Sequence, residues 1–153
     1  MRAAIKTVER FRHAGTALLT VAFARLALSI LGFERVRSLL LRRLSVLNEP
    51  AGDARAEARA RRIVDRVQRA GELLHVSCLV RALAAQILLL RSGYRSDLKI
   101  GVTKEDGHLE AHAWLVRKGR VLIGGDSSQL RRYSVLQEDA DQKRVPAVHS
   151  HEN

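Results

Sequence analysis

A chain of 153 residues holds one cysteine, Cys78. It directly follows Ser77, a residue type that caps helices, and opens a run in which only Arg81 and Gln86 are polar as far as Leu90. At the first position of a helix, unpaired amide hydrogens and the positive end of the dipole favour an anion, so a thiol there is drawn toward thiolate, its nucleophilic form. The same amides could hold the oxyanion that forms when a carbonyl is attacked. A lone cysteine is equally at home as a small buried hydrophobe, so a base must be found before chemistry is assigned.

The base is sought in Ala111-His112-Ala113-Trp114. On a strand, His112 shares a face with Trp114 and Val116, while Ala111, Ala113 and Leu115 point the other way. Lys118-Gly119 marks a hairpin. A three-residue loop would pair Arg117 with Val121 and set His112 opposite Asp126, with β-carbons about 4.5 to 5.5 Å apart, within reach of an imidazole–carboxylate hydrogen bond. A two-residue loop would pair His112 with Gly125 and turn Asp126 to the other face. Chemistry prefers the longer loop. His75, Cys78, His108 and His112 also offer a zinc set on paper, but residues 108 and 112 on one strand lie about 13 Å apart, too far for one ion. His75 as an alternative base precedes the helix instead of facing the thiol.

Several elements must position these residues. The central helix runs from Cys78 to Ser92 and is stopped by Gly93. Leu98, Ile100 and Val102 alternate as a first strand, Glu105-Asp106-Gly107 turns the chain, Leu109 to Arg117 forms a second strand and Val121 to Ile123 a third. Upstream the chain reads as helix. Gly15 to Phe33 is apolar apart from Arg25, yet its Leu, Ile, Val and Phe gain roughly 3 to 5 kcal/mol in a bilayer, which Arg25 and the small polar residues offset; no transmembrane span is expected. Glu34 to Leu47 carries a helical apolar stripe, Asn48 to Gly52 breaks it, and a third helix opens at Asp53. Its inner face holds Ala56, Ala60, Ile63, Val64, Val67 and Leu74, and its outer face Arg55, Arg59, Arg62, Arg66 and Arg69. Glu57, Asp65 and Glu72 stand where they can pair with that outer face at i, i+4, the reading of a solvated surface; docking of an acidic peptide or partner is the other.

Helices first and an antiparallel sheet after them make an α+β fold, a single domain over 1–136 with a helical part, 1–74, and a core, 75–136. Residues 137–153 have hardly any large apolar side chains and read as a flexible tail. With 46% apolar and 28% charged residues the chain can bury a core, and one cysteine excludes a disulfide scaffold and fits a reducing compartment. The net charge of +11 suggests a polyanion, but the arginines are scattered and 4% aromatics supply few stacking platforms. A basic helical adaptor for an acidic partner or nucleic acid is the non-enzymatic alternative.

Cysteine at a helix start, histidine on a later strand and an acid on the next is the ordering of transglutaminase-like cysteine hydrolases. The run Ser77-Cys78-Leu79-Val80-Arg81-Ala82-Leu83, then Leu89 to Tyr94, Lys99 to Val102 and Ala111 to Leu115, resembles the stand-alone leader peptidases of lasso-peptide biosynthesis, the protease half of the split maturation B protein. The resemblance spans roughly 75–136. It implies a transglutaminase-like core, a cytoplasmic cysteine protease, and a Cys-His-Asp triad that cuts the leader from a ribosomal precursor. Carried over, Cys78 is the nucleophile, His112 the general base and then acid, and Asp126 the residue that orients the imidazole. It also implies partners: the precursor peptide, a separate leader-recognition protein, since the split type lacks the small winged-helix element that grips the leader, and an ATP-dependent cyclase that closes the macrolactam. No cofactor, metal or nucleic acid is implied. A transglutaminase-like acyl transferase passing through the same thioester is the alternative within this chemistry.

Overall fold

The computed structural model describes residues 2–46, 54–105 and 107–138. Helix α1 spans Arg2–Leu31 and α2 Phe33–Val46, separated at Gly32, whose φ of 76° ends the first helix. Helix α3 spans Ala54–Leu73 and α4 Cys78–Arg91. The expected break at 48–52 and the cap at Asp53 lie outside the described residues.

Small residues let the helices approach closely. Ala17, Val21, Ala24 and Ala27 of α1 are buried with Ala60, Val64 and Val67 of α3 and Ala82 to Ala85 of α4 in one core. The segment His13–Leu31 is long and apolar enough to cross a membrane by length and composition. Its alanine and valine side faces the core, while Leu19, Phe23, Leu26 and Ile30, spaced by four, three and four, form an exposed ridge. Leu74, expected on the inner face of α3, lies beyond the helix end and is exposed.

After α4, Ser92 caps the helix and Gly93, with φ 82°, turns the chain out as expected. Strands β1 (Asp97–Glu105), β2 (His108–Arg117) and β3 (Arg120–Ile123), the short helix α5 (Ser127–Leu130) and β4 (Ser134–Glu138) complete the α+β fold. The four strands form one antiparallel sheet in the order β3-β2-β1-β4. The fourth strand was not expected; it pairs with β1 and carries regular structure through Glu138, two residues into the segment read as tail. Residues 139–153 lie outside the described residues.

The faces of β2 divide as the alternation requires. Ala113 and Leu115 enter the main core against α4, while Trp114 and Val116 join Leu130 and Tyr133 in a smaller cluster on the other side of the sheet. Buried Arg117 ties this end of the sheet to α3 through Glu57 at 3.2 Å and donates to the Arg95 carbonyl at 2.9 Å.

The β2–β3 hairpin corrects the expected loop. Arg117 pairs with Arg120 and Val116 with Val121, so the loop is the two residues Lys118-Gly119, both with positive φ as such a turn requires. A bulge then adds one residue to β3, and Leu115 pairs with Ile123. The short loop and the bulge together give the offset that the longer loop would have given.

Candidate active site

Where β3 stops, at Ile123, it leaves the outer part of β2 uncovered, and a cavity of about 300 Å³ opens there. Cys78, Arg81 and Gln68 line it from the helices, and His112, Glu110 and Gly124 from the sheet side. The structure therefore brings the thiol and the imidazole, 34 positions apart in sequence, to one cleft.

Cys78 is the first residue of α4, half-buried at the rim of the main core. Ser77 caps the helix: its hydroxyl accepts from the Val80 amide, and its carbonyl accepts from the Arg81 amide. The amides of Cys78 and Leu79 precede the first intrahelical donor and remain for a ligand anion. The thiol thus combines a hydrophobic seat with an opening, so the two readings of a lone cysteine are both partly fulfilled.

His112 pairs with Gly101 of β1 and sits where β2 passes from exposed to buried residues. Its ring stacks on Trp114 at 6.3 Å between centroids and meets Tyr133 at 5.3 Å, which fixes its plane. Gly101 makes room for that arrangement, since a β-carbon there would stand 2.8 Å from the Trp114 ring. Nε2 of His112 hydrogen-bonds the carbonyl oxygen of Gly124 at 2.5 Å. A carbonyl only accepts, so the proton lies on Nε2, and in the neutral ring Nδ1 keeps the lone pair of a base. Among the described residues no hydrogen bond joins Cys78 to His112.

Asp126 does not fill the place expected of it. Its carboxylate caps α5, accepting from the Ser128 and Gln129 amides at 2.8 and 3.0 Å and from the Ser128 hydroxyl, while Gln129 returns a bond to the Asp126 amide in a capping box. The Ser128 hydroxyl foremost, and the Gln129 amide next, hold this carboxyl below its ordinary range. The residue is exposed and lies outside the cavity lining, and its bond to His112 is not made. The offset across the bulge is the one that would have placed it opposite His112, but the strand ends at Ile123 and a helix cap has the stronger claim on the carboxylate. The Gly124 backbone carbonyl stands where the carboxylate was expected.

Only glycine permits this. Gly124 has φ 104°, and a β-carbon on it would fall 2.5 Å from the Trp114 β-carbon and 2.9 Å from the Ala113 carbonyl oxygen. That close approach to β2 is what delivers its carbonyl to the imidazole.

Three further groups escaped the sequence reading. Gln68 of α3 lines the cavity, and with one amide hydrogen donated to Glu72 at 2.8 Å it retains a second donor for an oxyanion. Gly71 lets the Arg81 stem cross α3 into the cavity, since a β-carbon there would lie 2.4 Å from Arg81 Cγ. Tyr133 donates to Glu110 at 2.7 Å, and this bond raises its pKa, as does burial. None of the three sits in a motif with Cys78 or His112; a glycine seventeen residues along a helix-rich stretch has no local signature of the arginine it accommodates.

His108 and His112 occupy one extended strand, and among the described residues no group of three or more His, Cys, Asp or Glu is placed to hold a metal ion.

A thiol at a helix start and an oriented imidazole that line one cleft are the groups that can form and resolve a thioester. No curated protein and no solved structure gives a match to this chain. A family model does: it aligns with residues 17–138, from the core face of α1 to the last residue of β4, so that helices and sheet fall within a single match. By that extent of agreement the chain belongs to the transglutaminase-like superfamily.

Proposed function

We propose that this protein is a cysteine peptidase that removes the leader from a lasso-type ribosomal precursor peptide in the cytoplasm. The observation that carries the peptidase reading is the His112 to Gly124 hydrogen bond in the cleft of Cys78, which leaves Nδ1 as the basic nitrogen. In the reaction the Cys78 sulfur attacks the scissile carbonyl, and the oxyanion is held by the first amides of α4 with Gln68. His112 takes the thiol proton and passes it to the departing amine, so the C–N bond breaks as the thioester remains. Water, deprotonated by His112, then attacks the thioester and releases the leader acid and free thiol.

The lasso assignment rests on the resemblance over 75–136, and its partners are the precursor, a separate leader-recognition protein and the ATP-dependent cyclase that uses the freed amine. Mixing purified protein, recognition protein and precursor should yield two fragments whose masses sum to precursor plus one water. Cys78→Ala should abolish this, and His112→Ala should slow it on the order of 10²- to 10⁴-fold. Full cleavage by either variant would end the peptidase reading. The superfamily is equally compatible with acyl transfer, in which an amine instead of water resolves the thioester; a product heavier by the amine and lacking the added water would identify it.

A further inference from the structure

A second cavity, about 460 Å³, lies at the far end of α4 from the thiol. Leu88 and Tyr94 contribute from that end, Arg59, Arg62, Ile63 and Arg66 from α3. His13 and Thr16 of α1 close the opposite wall. Leu88 is ten residues beyond Cys78, about 15 Å along the helix, and the two cavities share no residue.

The three arginines are not neutralised as their helix neighbours would suggest. Glu57 is committed to Arg117 and Lys118, at 3.2 and 3.8 Å, and Glu72 accepts from Gln68. Among the described residues no carboxylate pairs with Arg59, Arg62 or Arg66. Exposed Asp65, the remaining acid of this stretch, makes no ion pair with them either, so three guanidinium groups border an apolar floor of Ile63 and Leu88 without a paired carboxylate.

We infer that this cavity binds an extended acidic peptide segment carrying carboxylates on either side of an apolar residue. Arg59 to Arg66 spans about 10 Å along the helix axis, the length of three residues of extended chain at about 3.3 Å each. Arginine meets carboxylates in paired hydrogen bonds, and successive positions of an extended chain would alternate between the arginines and the floor. Single-stranded nucleic acid fits less well: of the cavity's two rings, His13 and Tyr94, the larger is buried and its face is covered by the Arg117 guanidinium at 5.1 Å, so Tyr94 offers no platform for a base.

The inference requires no bond cleavage and stands apart from the peptidase reading. The probe is a fluorescein-labelled Glu-Leu-Glu-Leu-Glu peptide, followed by anisotropy against the whole chain, with Gln-Leu-Gln-Leu-Gln and decathymidylate as comparators. The acidic peptide should bind at least tenfold more tightly than either comparator. Reversal of the cavity arginines together (Arg59→Glu, Arg62→Glu, Arg66→Glu) should weaken it at least thirtyfold. The same charge change elsewhere on α3 (Arg55→Glu, Arg61→Glu, Arg69→Glu) should weaken it less than threefold. If circular dichroism shows the triple cavity variant unfolded, Arg62→Gln and Arg66→Gln taken singly replace it, each with an expected loss of about fivefold. Absence of peptide binding, equal losses from the two triple variants, unchanged binding by both single variants, or tighter binding of decathymidylate would each overturn the inference.

Discussion

Replacing Gly124 with alanine should disconnect His112 from its acceptor while every side chain around the thiol keeps its identity. Alanine at φ 104° carries backbone strain of about 1 to 3 kcal/mol. The added methyl meets the Trp114 backbone and β-carbon at 2.8 and 2.5 Å, where nothing is flexible enough to swing aside, and overfilling of this kind costs about 1 to 3 kcal/mol more. A total near 4 kcal/mol is a large share of the roughly 5 to 15 that holds a domain together, and for a chain of this size it lowers Tm by about 10 °C. Gly125→Ala is the matched control. It too has positive φ, 113°, but its β-carbon meets only the end of the Gln129 side chain at 3.0 Å and Leu130 at 4.0 Å, so strain is its main cost. Because Cys78 is the chain's one cysteine, its alkylation by iodoacetamide can be followed by mass without knowledge of the substrate. At a temperature where both variants remain folded, Gly124→Ala should slow alkylation at least tenfold at neutral pH and erase the Nε2–H preference that ¹⁵N NMR of the wild type should report for His112. Gly125→Ala should leave both within a factor of three. Wild-type alkylation and an unchanged tautomer in folded Gly124→Ala would refute the role given to this carbonyl.

Asp126→Asn should keep alkylation and cleavage within a few fold of wild type, since asparagine caps helices as well as aspartate; a loss near 10⁴-fold would instead mark a triad acid. Its carboxyl is held below the ordinary value of 3.8 by the Ser128 hydroxyl and the Gln129 amide, so the contribution of this cap is whole above that value and is lost as pH falls through the lower folded one. Acid titration of wild type against Asp126→Asn, followed by circular dichroism, should separate only in that acidic range. The Tyr133 hydroxyl, raised by its bond to Glu110, supplies stability below its ordinary value of 10.0 that disappears as pH climbs through the folded value; in ultraviolet titration Glu110→Gln should move one tyrosinate step downward. Arg117→Ala should destabilise the chain by about 3 kcal/mol in guanidinium titration, because it removes the buried partner of Glu57 and the cation over Tyr94.

What could be read from sequence was whatever left a local trace. Ser77, Cys78 and Gly93 bracket α4 because caps and helix starts have short-range chemistry, and the alternation around His112 fixed the faces of β2. The hairpin shows how such reading goes astray: the offset was right, but it arises from a two-residue loop and a bulge, and a bulge depends on the partner strand. Strand β4 was missed because Ser134–Glu138 carries only two apolar residues, Val135 and Leu136, and both are exposed; its place comes from hydrogen bonds to β1. The α3 arginines were expected to find acids one turn away, yet Glu57 reaches Arg117, sixty residues on, a competition that helix spacing cannot reveal.

The substitution of a peptide oxygen for a carboxylate beside His112 has a practical outcome for anyone surveying this protein by mutation. A main-chain atom survives every side-chain exchange, so alanine scanning would return a two-membered site and give no hint of the third participant, except through intolerance at position 124 that is easily mistaken for a folding defect. Backbone ester replacement at that linkage, which weakens the oxygen as an acceptor without altering any residue's identity, would uncover it.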